Sequence, residues 1–193
     1  MSASARPIAT TRSSAGMPTG RLAVWWVIAS EIVIFGGILA SYVMHRLAHD
    51  AFAQQAAHTN TWIGAFNTFV LLTSSLSAVL AHKAADHGDH RGAGRYLLMT
   101  IGGGATFLIV KSIEWTHEIR EGFTITSSTF WSFYYTAAGI HASHVIAGMI
   151  LMAFVARDAF RNRELQRVEY VGLYWHFVDI VWIFLFPLLY IAK

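Results

Sequence analysis

Five stretches of this chain are each long enough and apolar enough to cross a lipid bilayer as an α-helix. They comprise residues 22–44, 61–82, 96–115, 130–156 and 171–191. A helix needs about 20 apolar residues to span the hydrocarbon layer, and a backbone in lipid must pair its own polar groups. The pattern therefore predicts an all-α membrane protein, a polytopic bundle of five transmembrane helices over residues 21–193.

The low charge content also favours a membrane protein over a soluble domain. Charged residues make up 13% of the chain, whereas soluble domains carry about 25%. No cysteine is present, so the chain by itself can form no disulfide, thiolate metal site or iron–sulfur cluster. The net charge of +3 comes largely from short loops; it indicates topology and predicts no nucleic-acid binding.

Residues 1–20 differ in composition from the stretch that follows. They are rich in Ser, Ala and Thr, contain Arg6 and Arg12, and have no acidic residue. So little apolar surface cannot build a core, and we expect a disordered cytoplasmic tail. A cleaved signal peptide is not expected, because the first apolar stretch has full spanning length and no small-residue cleavage site follows it.

Basic residues are distributed unevenly between the two ends of the predicted helices. Ten Lys and Arg residues lie in the tail and in the second and fourth connections. Four lie on the other side, namely Arg46, Lys111, Arg120 and Lys193. Because cytoplasmic loops carry the excess of positive charge, the N-terminus is predicted in the cytoplasm and the C-terminus outside.

Several ionisable side chains fall inside the apolar stretches, where an unpaired charge costs about 2.5–3.5 kcal/mol on insertion scales. His176 and Asp179 are three residues apart and share a helical face. At about 1.5 Å per residue, Glu31, Asp179 and His144 reach similar depths on three helices. A buried carboxylate needs hydrogen-bond donors, which an imidazole can supply. The predicted buried polar network consists of Glu31, His141, His144, His176 and Asp179, with Ser30, Tyr174 or bound water as further partners.

Small and aromatic residues in the spans are expected to serve packing and anchoring, with no chemical role. Close helix approach is allowed at Gly36, Gly37, Gly102, Gly103, Gly104, Gly148 and the Ala137-Ala138-Gly139 segment. An interfacial belt is predicted for Trp25, Trp26, Trp62, Trp131 and Tyr134.

The residues alone leave alternatives to a cofactor-free subunit. His141 and His144 could ligate haem with His176, although neighbouring histidines on one helix compete for the same space. Glu114 and His117 form a Glu-x-x-His motif, but a di-iron bundle needs two such motifs and two further Glu residues. A proton-linked transporter would use intramembrane carboxylates and histidines, yet no inverted repeat or broken-helix pair is visible.

Seven motifs in order along the chain resemble subunit III of the haem-copper oxidases, in its short five-span bacterial form, over about residues 21–192. The motifs are Ser30-Glu31 before Phe35-Gly36-Gly37, residues 67–75, Ala81-His82, Glu114, Ser128-Thr129-Phe130, residues 139–145, and Glu169 with residues 174–179. The family pattern usually has Gly between the two histidines of the fourth span, where this chain has Ala142-Ser143.

The resemblance implies an accessory, non-catalytic subunit in a bacterial inner membrane, without a cofactor or metal of its own. Haem and copper would belong to subunits I and II of the oxidase; this chain would pack against subunit I, stabilise it and support proton uptake in aerobic electron transport. Phospholipids would bind in its cleft. Glu31 matches a carboxylate that reacts with carbodiimides, a reaction that requires the protonated acid. The other family-matched polar positions are Ser30, Asn67, His82, Glu114, Glu169, Tyr174 and Trp175.

The resemblance leaves the kind of oxidase open. The segment of residues 186–190 is also similar to accessory subunits of nitric oxide reductases, which share the five spans and much of the last-span motif. Quinol oxidase relatives tend to have Leu where this chain has Val178. The sequence of residues 176–179, His-Phe-Val-Asp, favours a cytochrome c oxidase. The electron donor, the terminal acceptor, the lipid species and membership of a respiratory supercomplex stay open, as does whether the polar network conducts protons or only holds helices together.

Overall fold

A computed structural model describes residues 13–14, 17–48 and 51–192 of the chain. Six α-helices follow in order: α1 Thr19–Ala48, α2 Ala51–Ala56, α3 Thr61–Asp86, α4 His90–Arg120, α5 Thr129–Phe160 and α6 Gln166–Phe186. A short antiparallel pair, Ser13–Ser14 with Met17–Pro18, precedes α1. Most of the predicted tail, residues 1–12 and 15–16, lies outside the described residues.

Five of these helices are long and apolar enough to span a membrane, which confirms the predicted all-α, five-span architecture. Most of them extend beyond the predicted apolar stretches, because the helical hydrogen bonds continue into polar caps. Asn60 accepts the backbone N–H of Trp62 at the start of α3, at 3.1 Å. Asp89 accepts that of Gly92 at the start of α4, at 2.8 Å. Such caps satisfy N–H groups that a helix start leaves unpaired.

Helix α6 lies at the centre of the bundle, and α1 lies at its edge. Helix α6 packs against α1, α3 and α5, while α4 packs against α3 and α5. Half of the most apolar segment of α6 is buried (50%), against 11% for α1. Most of the surface of α1 therefore faces outward from this chain.

Trp175 of α6 fills a space that two glycines leave open. A Cβ atom at Gly104 would lie 2.7 Å from the Trp175 ring, and one at Gly148 would lie 2.9 Å from it. The indole N–H donates to Ser74 Oγ in α3 at 3.1 Å. These two glycines are packing positions, as predicted. A Cβ atom at Gly36 or Gly37, in contrast, would meet no described atom within 4 Å, so these two glycines are not required for close packing within the described chain.

The last turn of α6 widens into a π-helical turn, Pro187–Ile191. Pro187 has no N–H to donate, and Ala192 N–H donates to the Pro187 carbonyl at 2.8 Å. Other carbonyls of this turn accept from side chains of distant segments: Tyr42 donates to Leu188 at 2.7 Å, and Thr61 donates to Tyr190 at 3.1 Å. The turn is thereby fastened to α1 and α3.

Candidate functional site

The five residues of the predicted network all lie near the middle of their helices, within about 5 Å of a helix midpoint at 1.5 Å per residue. We call them the midplane set; its members are Glu31 of α1, His141 and His144 of α5, and His176 and Asp179 of α6. Their shared depth agrees with the sequence positions. Depth alone, however, does not fix the direction in which each side chain points.

Glu31 and His144 are the two members of the set that contact each other. His144 Nε2 lies 3.0 Å from Glu31 Oε2, and the two side chains are 18% and 17% exposed. The Phe35 ring meets the imidazole edge-on at 5.3 Å between centroids. The Tyr174 hydroxyl donates to the His144 carbonyl at 3.5 Å. The pair therefore joins α1 to α5, beside α6.

The hydrogen bond of His144 to its own helix determines which ring nitrogen faces Glu31. Its Nδ1 lies 2.8 Å from the Ile140 carbonyl oxygen, which can only accept, so Nδ1 must carry a proton. Nε2 is then the nitrogen that lies 3.0 Å from Glu31 Oε2. This approach does not have hydrogen-bond geometry, since Oε2 has no hydrogen-bond partner among the described residues.

His176 and Asp179 face α3. The Ser75 hydroxyl lies 2.7 Å from His176 Nδ1. Asp179 is 3% exposed, and neither of its carboxylate oxygens has a hydrogen-bond partner in the described part of the chain. The structure thus does not bring Asp179 into hydrogen-bond contact with His144, because its turn of α6 packs on α3 rather than toward α1.

His141 is enclosed by aromatic rings. It has no exposed surface, stacks on Trp182 at 5.2 Å and meets Phe107 edge-on at 5.4 Å. Both of its ring nitrogens lack a hydrogen-bond partner among residues 13–14, 17–48 and 51–192. The predicted network is therefore three separate arrangements in this chain: the Glu31–His144 pair, the Ser75–His176 contact with Asp179 one turn away, and His141 between rings.

A second group of buried polar residues lies nearer the end of the bundle where α6 stops. We call it the Lys111 cluster; it consists of Lys111, Glu114 and Glu118 of α4, Tyr134 of α5 and Tyr190 of the π-helical turn. Lys111, Glu114 and Glu118 are 2%, 3% and 5% exposed, and both phenols are fully buried.

The Lys111 ammonium uses all three of its N–H donors inside the cluster. It donates to Glu114 Oε2 at 3.0 Å, to Tyr134 Oη at 2.8 Å and to Tyr190 Oη. The Tyr134 hydroxyl donates in turn to Glu118 Oε1 at 2.9 Å. Charge-assisted hydrogen bonds of this kind are the strong ones, so the cluster joins α4, α5 and the end of α6.

Sequence reasoning missed most of this cluster. The topology prediction treats Lys111 as a loop charge, but it is buried within α4. Without it, ten Lys and Arg residues lie on the predicted cytoplasmic side and three on the other, which still favours the same orientation. Tyr134 and Trp131 were assigned to the interfacial belt, but both are fully buried. A signal was present: residues 111, 114 and 118 are spaced i, i+3 and i+7 on one helical face.

The remaining family-matched positions are dispersed. Ser30 is exposed and donates to the Val27 carbonyl of its own helix at 2.7 Å. Asn67 is fully buried, with neither side-chain polar atom paired among the described residues. His82 lies 3.6 Å from Asp86 on the surface. Glu169 pairs with Arg21 at 3.2 Å and so connects the start of α6 to the start of α1.

The residues weighed for metal binding are also apart. His117 of the Glu-x-x-His motif is 72% exposed and lies 3.5 Å from Glu121, whereas Glu114 is buried against Lys111. Within the described ranges, no group of three or more His, Asp or Glu side chains could hold a metal ion.

Comparison with known proteins identifies the family. The sequence matches the family described as cytochrome c oxidase subunit III over residues 10–193. The chain belongs to this family. It is 32% identical to cytochrome c oxidase subunit 3 of Corynebacterium diphtheriae, covering 86% of this chain and 84% of that protein. It is 33% identical to the Bacillus subtilis protein of the same name, covering 88% and 84%, and 30% identical to that of Thermostichus vulcanus, covering 85% and 83%.

Membership of the subunit III family confirms the resemblance drawn from the motifs. Such subunits are accessory parts of haem-copper oxidases and bind no cofactor themselves, so association with other oxidase subunits follows from the family.

Proposed function

We propose that this chain is the accessory subunit III of a proton-pumping cytochrome c oxidase in a bacterial inner membrane, where it stabilises subunit I and supports proton uptake. The observation that carries this proposal is the Glu31–His144 pair, a partly exposed acid and imidazole 3.0 Å apart at mid-membrane. The names of the similar proteins favour a cytochrome c oxidase over the nitric oxide reductase and quinol oxidase alternatives.

The pair can hold a proton but forms no pathway by itself in this chain. Nε2 and Oε2 lie 3.0 Å apart, and a proton bound by the pair would leave it neutral overall in lipid. His141 and Asp179 make no hydrogen bond with it among the described residues. A supporting role at a boundary with another subunit therefore suits the pair better than transport through this chain alone.

The proposal includes phospholipid as a further partner. A groove of about 630 Å³ opens between the first turns of α1 and α6 and the last part of α5, with walls from Val24, Val27, Phe154 and Val171. Arg167 lies at its edge and is paired with Asp158 at 2.9 Å. Acyl chains fit the apolar walls, and the guanidinium suits a lipid phosphate.

The test is the native complex purified through a tag on this chain. We expect haem-bearing subunits to co-purify and the complex to reduce oxygen with reduced cytochrome c. Reduction of nitric oxide, or oxygen reduction with quinol only, would indicate one of the alternative complexes. A haem bound stoichiometrically to the isolated chain, or proton flux in liposomes that contain this chain alone, would contradict the accessory role.

A further inference from the structure

The Lys111 cluster contains more acidic than basic groups. The ammonium of Lys111 faces the carboxyls of Glu114 and Glu118, and all three side chains are at most 5% exposed. With both carboxyls ionised, the cluster has one negative charge in excess, in apolar surroundings where an uncompensated charge is costly. Loss of one electron from a neighbouring group makes the cluster neutral overall. An oxidisable side chain therefore gives up an electron more readily here than in an uncharged apolar core.

Tyr134 has the hydrogen bonds needed to release an electron and a proton together. The Lys111 ammonium can only donate, so the phenol oxygen of Tyr134 accepts this N–H, at 2.8 Å. The phenol's own proton is directed at Glu118 Oε1, 2.9 Å away. A phenol that loses an electron becomes a strong acid, and the carboxylate of Glu118, which is an acceptor only, can take its proton across this hydrogen bond.

A row of aromatic rings joins Tyr134 to the surface of the bundle. The ring centroids of Tyr134 and Tyr135 are 5.2 Å apart, and those of Tyr135 and Trp115 are 5.6 Å apart. Tyr134 is fully buried, whereas Tyr135 of α5 and Trp115 of α4 are partly exposed. Trp115 lies about 8 Å from the end of α4, at 1.5 Å per residue. An electron can thus leave Tyr134 through two neighbouring rings toward the exposed side of a membrane-spanning helix.

The composition of the chain and the place of Trp115 indicate the class of oxidant. Thiols would compete as one-electron donors, but the chain has no Cys, and it has seven Trp and seven Tyr residues. An oxidant that reaches Trp115 from the bilayer must be soluble in lipid. The peroxyl radicals of unsaturated acyl chains meet this requirement, and each takes up one electron and one proton to become a hydroperoxide.

We propose that Tyr134 is a one-electron donor to lipid peroxyl radicals, with Tyr135 and Trp115 as the electron path and Glu118 as the proton acceptor. The electron from Tyr134 reduces the peroxyl radical, which takes a proton from water and becomes a lipid hydroperoxide. The O–H bond of Tyr134 breaks, its proton forms an O–H bond on Glu118, and a neutral phenoxyl radical stays hydrogen-bonded to Lys111. Each oxidised tyrosine reduces one peroxyl radical. This activity goes beyond the proposed function and does not depend on the terminal acceptor of the complex.

Radical trapping in the parent protein tests the activity without any substitution. The full chain in vesicles of unsaturated phosphatidylcholine is exposed to peroxyl radicals from a lipid-soluble azo initiator and then frozen for electron paramagnetic resonance. We expect a phenoxyl signal, at most one per chain, that narrows when the protein is made with ring-deuterated tyrosine. An indole or lipid signal alone, or a signal that deuterated tyrosine leaves unchanged, would overturn the proposal.

Three variants test the assignment of the donor and of the proton acceptor. Tyr134→Phe should lower the phenoxyl signal at least threefold, whereas Tyr170→Phe, at a partly buried tyrosine near the start of α6, should keep it. Glu118→Gln retains Tyr134 but offers it an amide, which is not a base, and should also lower the signal at least threefold. A parent-like signal in the Tyr134 or Glu118 variant, or an equal loss in the Tyr170 variant, contradicts the assignment.

A substitution at the surface tests the electron path with little risk to the fold. Trp115→Phe keeps an aromatic ring in the packing but removes the indole, and it should slow formation of the phenoxyl signal at least threefold. Trp62→Phe, at an indole that is 85% exposed at the start of α3, should leave the rate unchanged. Equal rates in the two variants would exclude the path through Trp115. If the parent chain forms the radical but does not co-purify with haem subunits, the proposed function fails and the donor role of Tyr134 stands.

Discussion

The Lys111 cluster and the midplane set are both polar groups inside an apolar bundle, but they differ in how far this chain satisfies them. In the cluster, an ammonium gives its three N–H donors to Glu114, Tyr134 and Tyr190. In the midplane set, Asp179 and His141 have no hydrogen-bond partner among the described residues.

The comparison distinguishes buried polar side chains that are paired within the chain from buried polar side chains that are left unpaired. A buried charge whose partners lie in the same chain fixes the packing of that chain's own helices. His141 and Asp179 are unpaired among the described residues although this chain itself encloses them, so only enclosed water could satisfy them. Disruption of the cluster should therefore destabilise the isolated chain most, whereas changes in the midplane set should have smaller effects on it.

The largest effect is expected for Lys111→Met. The substitution leaves Glu114 and Glu118 buried without their cation, and removal of one partner of a buried pair costs about 3–5 kcal/mol. Thermal unfolding of the isolated chain in detergent measures the loss. The matched control is Lys83→Met, at an exposed position of α3, which should leave the midpoint unchanged. A Lys111→Met chain as stable as the parent would remove the distinction between the two regions.

A smaller effect is expected for Glu31→Ala. The substitution removes the carboxyl that lies 3.0 Å from His144 Nε2 and leaves a partly buried ring nitrogen without a polar neighbour, at a cost of about 1–3 kcal/mol. Glu31→Gln places an amide at the same position and should unfold close to the parent. Both variants should lose carbodiimide labelling in membranes. Glu169→Gln, which changes the pair with Arg21, should keep it. Persistent labelling in Glu31→Gln would show that another carboxyl reacts.

The smallest effect on the isolated chain is expected for Asp179→Asn. The described residues provide no hydrogen-bond partner that the change would strand, and the amide nearly preserves the volume, so the shift should stay below about 1 kcal/mol. The unfolding midpoint of the isolated chain and the retention of the chain in the complex are compared. A loss as large as that of Lys111→Met in isolation would mean that Asp179 is held by a strong contact within this chain.

Hydropathy and spacing predicted the five helices and the depth of the polar residues, but not their rotation about the helix axes. The Glu31–His144 contact followed from equal depth on neighbouring spans. Asp179 was expected in the same network and instead lies on the side of α6 that packs on α3. Successive side chains point about 100° apart around a helix axis, so the contacts of a polar residue depend on how its helix is rotated. Helix α6 is apolar on nearly all sides, so its sequence gives little indication of which side faces which neighbour.

The Lys111 cluster was missed for a different reason. Its carboxyls and ammonium lie near the end of an apolar stretch, where snorkelling to water is the ordinary expectation. Tyr190, its third acceptor, is far away in sequence, and the π-helical turn that places it depends on Pro187 and on tertiary hydrogen bonds. Only the packing of α4 against α5, together with the π-helical turn that follows α6, closes the site.

The π-helical turn also has a consequence for biosynthesis. Tyr190, one of the three acceptors of Lys111, is synthesised 79 residues after it. While α4 enters the membrane, its ammonium therefore lacks a phenol that arrives only with the last span, and the carbonyls fastened by Tyr42 and Thr61 arrive with that span too. A nascent chain that has inserted four helices still carries an incompletely solvated cation in the bilayer. The buried cluster can therefore close only after the last span has been synthesised.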